Sequence, residues 1–377
     1  RCVSRTGRHV GWSPGHNLRR RIGGAMDDRA YQELAEALDR LPNGYPRTDT
    51  GIEIDILERI FSPEQASVAR LLDGTPAPVA EIAERAALSA DELGAQLIAM
   101  ARCGLVWVVE RSGEPCFRLA PFIVGIYEAQ VELMDHELAH LVEEYLHAGG
   151  AAGIMKPQPA LHRVMPTDGS VPSEWILPYD DVREVMLSAE TFSVRDCICR
   201  LQQDELGNRC ESPMSVCLSF SNAERSARPG DITRDEALGL LEQTEEAGLV
   251  HTVSNVMQGV GYICNCCGCC CGILRGITDF GIEDSVAYAN YYAVIDADNC
   301  TACGTCIDRC QVDAIVEEGG VSVVVREKCI GCGLCATGCP DQVPLLFRKS
   351  EEETVHPPAD FAAWESARLR NRGLAAT

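Results

Sequence analysis

Two runs of cysteine with the same internal spacing constrain this chain more than any other feature. Cys300, Cys303, Cys306 and Cys310 follow a C-x2-C-x2-C-x3-C pattern. Cys329, Cys332, Cys335 and Cys339 repeat it, with Pro340 directly after. Such spacing curls the backbone round a cube so that three thiolates meet three irons, and the fourth cysteine of each run reaches the other cube. Two [4Fe–4S] clusters are expected, one on Cys300, Cys303, Cys306 and Cys339, the other on Cys329, Cys332, Cys335 and Cys310. Gly304, Gly331, Gly333 and Gly338 let the loops turn tightly and bring backbone N–H groups towards sulfur. Structural zinc is the competing use of many cysteines, but zinc ribbons are built from two C-x-x-C pairs rather than three equal steps and a fourth cysteine.

With these eight cysteines in register, residues 290–347 resemble the bacterial-type ferredoxins that carry two [4Fe–4S] clusters. The surrounding order fits as well: a strand at 292–295, the first run, then a hairpin of 314–318 and 321–325 across Gly319-Gly320. The resemblance implies single-electron transfer. One residue departs from it, Gln311, where the family usually has proline after the fourth cysteine. The ligands are intact, so the expected consequence is a less rigid turn.

A second group of cysteines precedes this domain. Cys197 and Cys199 lead to Cys210 and Cys217, and Cys264, Cys266, Cys267, Cys269, Cys270 and Cys271 fall within eight residues. Exposed thiols oxidise, so this density is costly without a task. The expectation is one further metal-bearing redox site, zinc or another iron–sulfur cluster, with Arg195 and Arg200 offsetting thiolate charge and His251 as a ligand or proton donor. Buried structural thiols and a redox dithiol are the alternatives. Cys266-Cys267-Gly268 shares a Cys-Cys-Gly step with noncubane-cluster proteins such as the catalytic subunits of heterodisulfide reductases, but the rest of that pattern is not matched.

The remainder of the chain supplies scaffolding. Residues 27–60 read as helix interrupted by Pro42, Gly44 and Pro46. Ser62-Pro63-Glu64-Gln65 is a capping box with proline in the first turn. A short helix fits 78–87, and Ser89 with Glu92 opens another that Gly104 stops. Strands at 105–110 and 116–119 follow, joined at Ser112-Gly113. Three helices and a hairpin resemble a winged helix. Residues 61–120 hold eight acids and five bases, and the third helix carries Asp91 and Glu92, so nucleic acid is disfavoured as its ligand.

A long helix is expected over 122–147, with Val131, Met134, Leu138, Leu141, Val142 and Tyr145 as its apolar stripe. His136-Glu137-Leu138-Ala139-His140 matches the H-E-x-x-H zinc pattern. It is read as incidental, because these residues fall on the face expected to be solvated and the extended form fails at Glu143 and His147. Beyond a linker at 149–160, strands near 161–165, 173–178, 192–198 and 249–254 and helices at 180–190 and 233–247 make a mixed α/β domain. A helix at 359–370 ends the chain, with Trp364 on its surface.

The expected architecture is therefore α+β and multidomain: a leader at 1–25, helices over 26–60, a winged-helix-like domain with its long helix over 61–148, the linker, a Cys-rich α/β domain over 161–285, the ferredoxin domain over 286–347 and a tail over 348–377. The leader is rich in arginine and free of acids, without the apolar core of a signal peptide, and Met26 is read as the true start. The net charge of −23 repels nucleic acid and favours partners with a basic docking patch. No apolar run reaches the roughly 18 residues of a membrane span. Many thiolates without a short disulfide scaffold suit a reducing cytoplasm. Electron transfer to or from the Cys-rich domain or a partner oxidoreductase is the first functional reading. A reductase with its own site in 161–285 and a redox-sensing regulator using the winged helix stay open, as does whether the chain is itself an oxidoreductase or a component of one.

Overall fold

A computed structural model describes residues 25–223 and 225–374. The expected leader lies outside the described residues except for Ala25. The chain divides into two compact units, one of residues 25–154, 201–208 and 372–374, the other of 155–200 and 209–371.

The first unit begins with α1, Ala25–Asp39, α2, Ile52–Ile60, and α3, Pro63–Ala69. The Ser62 side chain accepts from the Gln65 backbone while Gln65 returns a bond to the Ser62 N–H, the reciprocal cap expected from the sequence. Next come β1, Ala77–Pro78, α4, Val79–Ala86, α5, Ala90–Arg102, β2, Val106–Arg111, and β3, Glu114–Leu119, with the sheet ordered β1-β3-β2. Ser112 and Gly113, both at positive φ, close the β2–β3 hairpin.

The long helix expected over 122–147 does not form. Ile123, Val124 and Gly125 leave helical geometry, a single 3-10 turn spans Tyr127–Ala129, and α-helix restarts at α6, His136–Tyr145, where Asp135 accepts the Leu138 N–H as N-cap. Within α6 the apolar period is correct: Leu138, Val142 and Tyr145 are buried. A further helix, α7, Ala151–Met155, occupies the segment read as a linker, and the division between the units falls inside it.

The second unit is built on a six-stranded sheet. Its elements are β4, His162–Met165, α8, Val182–Leu187, β5, Thr191–Asp196, the start of α9, Ile198–Glu205, whose residues from 201 on belong to the first unit, β6, Ser215–Ser221, β7, Asp231–Ile232, α10, Arg234–Glu246, β8, Val250–Ser254, β9, Tyr262–Cys266, and α11, Gly272–Thr278. The sheet order is β4-β8-β9-β6-β5-β7. Met165, Phe192, Leu218, Leu241, Val253 and Ile263 share its core. The strand expected over 173–178 is absent: Pro172 and Pro178 bracket a turn there, and Trp175 packs on Phe347 with ring centroids 5.8 Å apart.

The C-terminal part of this unit holds β10, Tyr291–Ile295, α12, Thr305–Asp308, β11, Ile315–Glu318, β12, Val321–Val324, α13, Leu334–Gly338, and β13, Pro344–Arg348. β10 pairs with β13 and β11 with β12, both antiparallel. The last helix, α14, Phe361–Asn371, carries Trp364, which is buried rather than on the surface and donates Nε1–H to the Ala160 carbonyl at 3.0 Å. Among the described residues no helix is long and apolar enough to cross a membrane.

Candidate metal centres

The two cysteine runs fold so that their thiols converge as the spacing requires. Cys300, Cys303, Cys306 and Cys339 line one cavity together with Ile295 and Pro344. Around the second position, Cys310, Cys329, Cys332 and Cys335 lie close enough to oppose one another's ionisation. Backbone amides point at the sulfurs: Ser322 N–H at Cys300, Ala314 N–H at Cys310 and Ala293 N–H at Cys329, at 3.5, 3.2 and 3.5 Å. The Ser322 amide holds the Cys300 thiol below its ordinary range, whereas burial, with Cys329 and Cys310 nearby, pushes Cys335 up to about 12. Buried thiols that resist bare ionisation, with amides aimed at sulfur, suit a cationic iron core.

Gly333, at φ +83°, would place a Cβ 2.3 Å from Ser170 Oγ, so it meets both a conformational and a space requirement. Gly338 answers to space alone: a Cβ there would lie 2.0 Å from Arg309 Nε.

Both neighbours of Cys310 bind the Cys-rich part of the same unit. The carbonyls ending α10 need partners, and no basic residue lies in its last turn. Arg309 supplies them, donating Nη1 to Glu246 O at 2.9 Å and Nη2 to Glu245 O at 2.6 Å. Gln311 donates Nε2 to Gly248 O at 2.9 Å and accepts the Gly268 N–H at 2.8 Å. A Cβ on Gly268 would stand 2.1 Å from the Gln311 carbonyl oxygen, so the backbones meet there without room for a side chain. Gln311 is thus the residue that locks its turn onto the neighbouring loop. Its identity, foreign to the ferredoxin pattern, was the available signal; Arg309 carried none.

The ten upstream thiols fall into two groups. Cys210, Cys267, Cys269 and Cys270 form a quartet with all sulfurs within 4.8 Å of one another. Hydrogen bonds from Cys269 and Cys270, with Arg200 adding charge, hold Cys267 far below the usual thiol range. Donation to Cys267 pushes Cys269 up to about 12 and Cys270 upward as well. The quartet has the donor set of a thiolate metal site. The other six, Cys197, Cys199, Cys217, Cys264, Cys266 and Cys271, line up in a separate series of contacts.

Asn265, in the middle of the Cys-rich loop, is buried and fixes it by donating Nδ2 to Val216 O at 2.7 Å. Of the two arginines expected to offset thiolate charge, Arg200 is buried beside Cys197, Cys266 and Cys267, whereas Arg195 is exposed on β5. His251 is no ligand here: Nδ1 faces Asn265 Oδ1 at 2.6 Å and Nε2 faces Glu245 Oε1 at 3.1 Å.

On the face expected to be solvated, Glu137, Glu144 and His147 are exposed and His136, His140 and Glu143 half-buried. His136 Nδ1 lies 2.7 Å from Glu205 O, the His136 and His140 rings meet edge to face at 4.5 Å, and Glu143 accepts the Gln202 and Gln203 amides. Among the described residues, the group of His, Cys, Asp or Glu close enough to share a metal is the Cys210 quartet.

Residues 292–350 match the family of 4Fe–4S dicluster domains. No curated protein and no solved structure matches the chain.

Proposed function

We propose that the dicluster domain exchanges single electrons with the Cys-rich domain beside it, or with a partner oxidoreductase, and that the chain is an iron–sulfur electron-transfer protein. The domain binds two [4Fe–4S] clusters, each of which supplies one-electron chemistry when bound. In this reading Cys300, Cys303, Cys306 and Cys339 hold one and Cys329, Cys332, Cys335 and Cys310 the other. The observation that carries it is the bond from Gly268, which sits between quartet members Cys267 and Cys269, to Gln311, the residue after Cys310. One hydrogen bond thus joins the Gln311 side chain, next to Cys310, to the backbone of the quartet's loop, and covalent fusion keeps the two parts at high effective concentration.

The domain limits 161–285 and 286–347 and a cytoplasmic setting belong to the same reading. The test is protein purified without oxygen, compared with a variant in which all eight dicluster cysteines are serine. The variant should lose about eight irons, four per cube, and with them the signal that dithionite reduction produces in electron paramagnetic resonance. Unchanged iron, or zinc in its place, would refute the assignment.

The β1-β3-β2 order around α3, α4 and α5 favours a winged helix in the first unit, and a second proposal is that it docks protein rather than nucleic acid. Trp107, Val108 and Val109 are exposed in succession on β2, an apolar edge suited to a partner. Titrating the full chain against mixed duplexes at low salt should give no saturable binding. Tight binding with a steep salt slope would overturn the docking proposal.

A further inference from the structure

Four of the six remaining thiols close into a ring drawn from the ends of four elements. Cys197 follows β5, Cys199 lies in the first turn of α9, Cys266 ends β9 and Cys271 caps the N-terminus of α11. Cys197 interacts electrostatically with Cys199, Cys199 with Cys271, and Cys271 with Cys266. Cys266 lies within electrostatic range of Cys197, which completes the circuit. Cys264 and Cys217 stand to one side. The β6–β9 register, Leu218 opposite Ile263, brings them together, and Cys264 reaches the ring only through Cys266.

The fold fixes these positions independently of any ligand. The Cys197 N–H donates to Met214 O at 2.9 Å, and the Cys271 N–H to Cys267 O at 3.1 Å. Cys266 Sγ also lies 3.5 Å from Thr252 Oγ1 on the neighbouring strand.

The second observation is Arg200. Its residue surface is 2% exposed, among the largest side chains the fold buries completely. Nη1 donates to Pro213 O at 3.0 Å and Nη2 to Asn265 O at 2.7 Å, while Nε has no hydrogen-bond partner. The groups that favour its charge are Cys197, Cys267 and Cys266, and no carboxylate stands among them. A buried guanidinium without an anion is strongly unfavourable. Neutral thiols cannot compensate it; thiolates held by a metal can. Arg200 touches thiols of both groups, so it stands between two sites that each carry negative charge.

We propose that Cys197, Cys199, Cys266 and Cys271 form a metal centre of their own, separate from the Cys210 quartet, and that it takes an iron–sulfur cluster, because among the described residues the sulfurs that all lie within 4.8 Å of one another, as a single ion asks, are those of the quartet. Four sulfurs from four elements make a closed site with no position left open, the arrangement of a structural or electron-storing centre rather than one that binds substrate. Metal binding there would also fix the turn between β9 and α11, which otherwise buries little besides thiols. The assignment stands apart from the electron-transfer reading, because metal counts rather than electron flow decide it.

The test uses the full chain purified without oxygen, with iron, zinc and acid-labile sulfide measured per chain. Beyond the iron of the dicluster domain, the unaltered protein should hold two further portions of metal. Cys197→Ser with Cys199→Ser should remove one, Cys267→Ser with Cys270→Ser the other, and all four changes both. For the Cys197/Cys199 pair iron and sulfide should fall in parallel, and a fall in zinc alone would overturn the cluster; for the Cys267/Cys270 pair either metal fits the quartet. The control Cys217→Ser should leave every count unchanged. Either pair emptying both portions would show a single shared centre and overturn the proposal, as would full metal retention in the Cys197/Cys199 variant. Should a variant fail to fold, the unaltered protein decides: one portion or none beyond the dicluster iron refutes the second centre.

Discussion

Valine in place of Gly268 should leave the dicluster iron in place and strip metal from the Cys210 quartet. A Cβ at this position would sit 2.1 Å from the Gln311 carbonyl oxygen and 3.1 Å from its carbon, and both are backbone that cannot rotate away. One of the two loops must move. The dicluster loop is anchored elsewhere, by Arg309 on Glu245 and Glu246 and by Thr167 N–H on Cys332 O at 2.9 Å. The Cys-rich loop is therefore the one displaced, with Cys267 and Cys269 on either side of the substitution. Overpacking of this kind costs about 1–3 kcal/mol, which in a unit of this size lowers the melting temperature by roughly 2–4 °C per kcal/mol. Gln311→Pro, which restores the residue usual in ferredoxins, probes the same contact without added bulk. It removes the partners of Gly268 N–H and Gly248 O, at about 1–3 kcal/mol for each group left unsatisfied. Metal analysis and thermal melting check both variants, and a Gly268→Val protein with wild-type metal and wild-type melting would show that the two loops do not meet as described.

Arg163→Met should be the most destabilising single change in the second unit away from the cysteines. Arg163 and Asp180 are 3% and 1% exposed, and Nη1 meets Oδ1 at 2.7 Å. Removing one partner of a buried pair costs about 3–5 kcal/mol because the other charge stays behind. The pH dependence has a definite sign. Burial already pushes the Asp180 carboxyl up to about 6, and the Arg163 guanidinium pulls against it. Without Arg163 the folded pKa rises further above its unfolded value, so the folded state gains protons that the unfolded state lacks. The variant's deficit relative to wild type should then be small near pH 5, where the buried acid is neutral, and full near pH 8. Asp180→Asn added to Arg163→Met should recover part of the loss at pH 8. Urea melts at the two pH values measure this, and an equal deficit at both would mean that Asp180 is not the charge left behind.

The convergence of the eight cysteines in the two runs was legible because their geometry is local: each run of eleven residues brings three of its own thiols together and needs the rest of the fold only for the fourth. The upstream cysteines were legible as dense but not as divided. Their sorting into two groups depends on β6 lying beside β9, on Cys271 capping α11 and on Cys199 arriving from α9, none of which spacing reveals. The capping box at Ser62 was read correctly for the same reason of locality. The long helix failed because the apolar period was followed through Gly125 and past Asp135, a residue better suited to starting a helix than to lying within one. Trp364 failed because a short polar helix offered no sign that Ala160, far away in sequence, would receive its indole N–H.

The residues flanking Cys310 bear on how this domain can be exchanged. Ferredoxin modules are commonly thought of as interchangeable cassettes, joined to their hosts through a tether. Here a transplanted cassette with the usual proline after its fourth cysteine would take the arginine donor from Glu246 O, at the end of α10, unless it also carried an arginine one residue before that cysteine. It would leave Gly268 without its acceptor in any case. Compatibility between host and cassette is thus written into two side chains of the cassette's own ligand loop, and a chimera has to inherit both to be sealed.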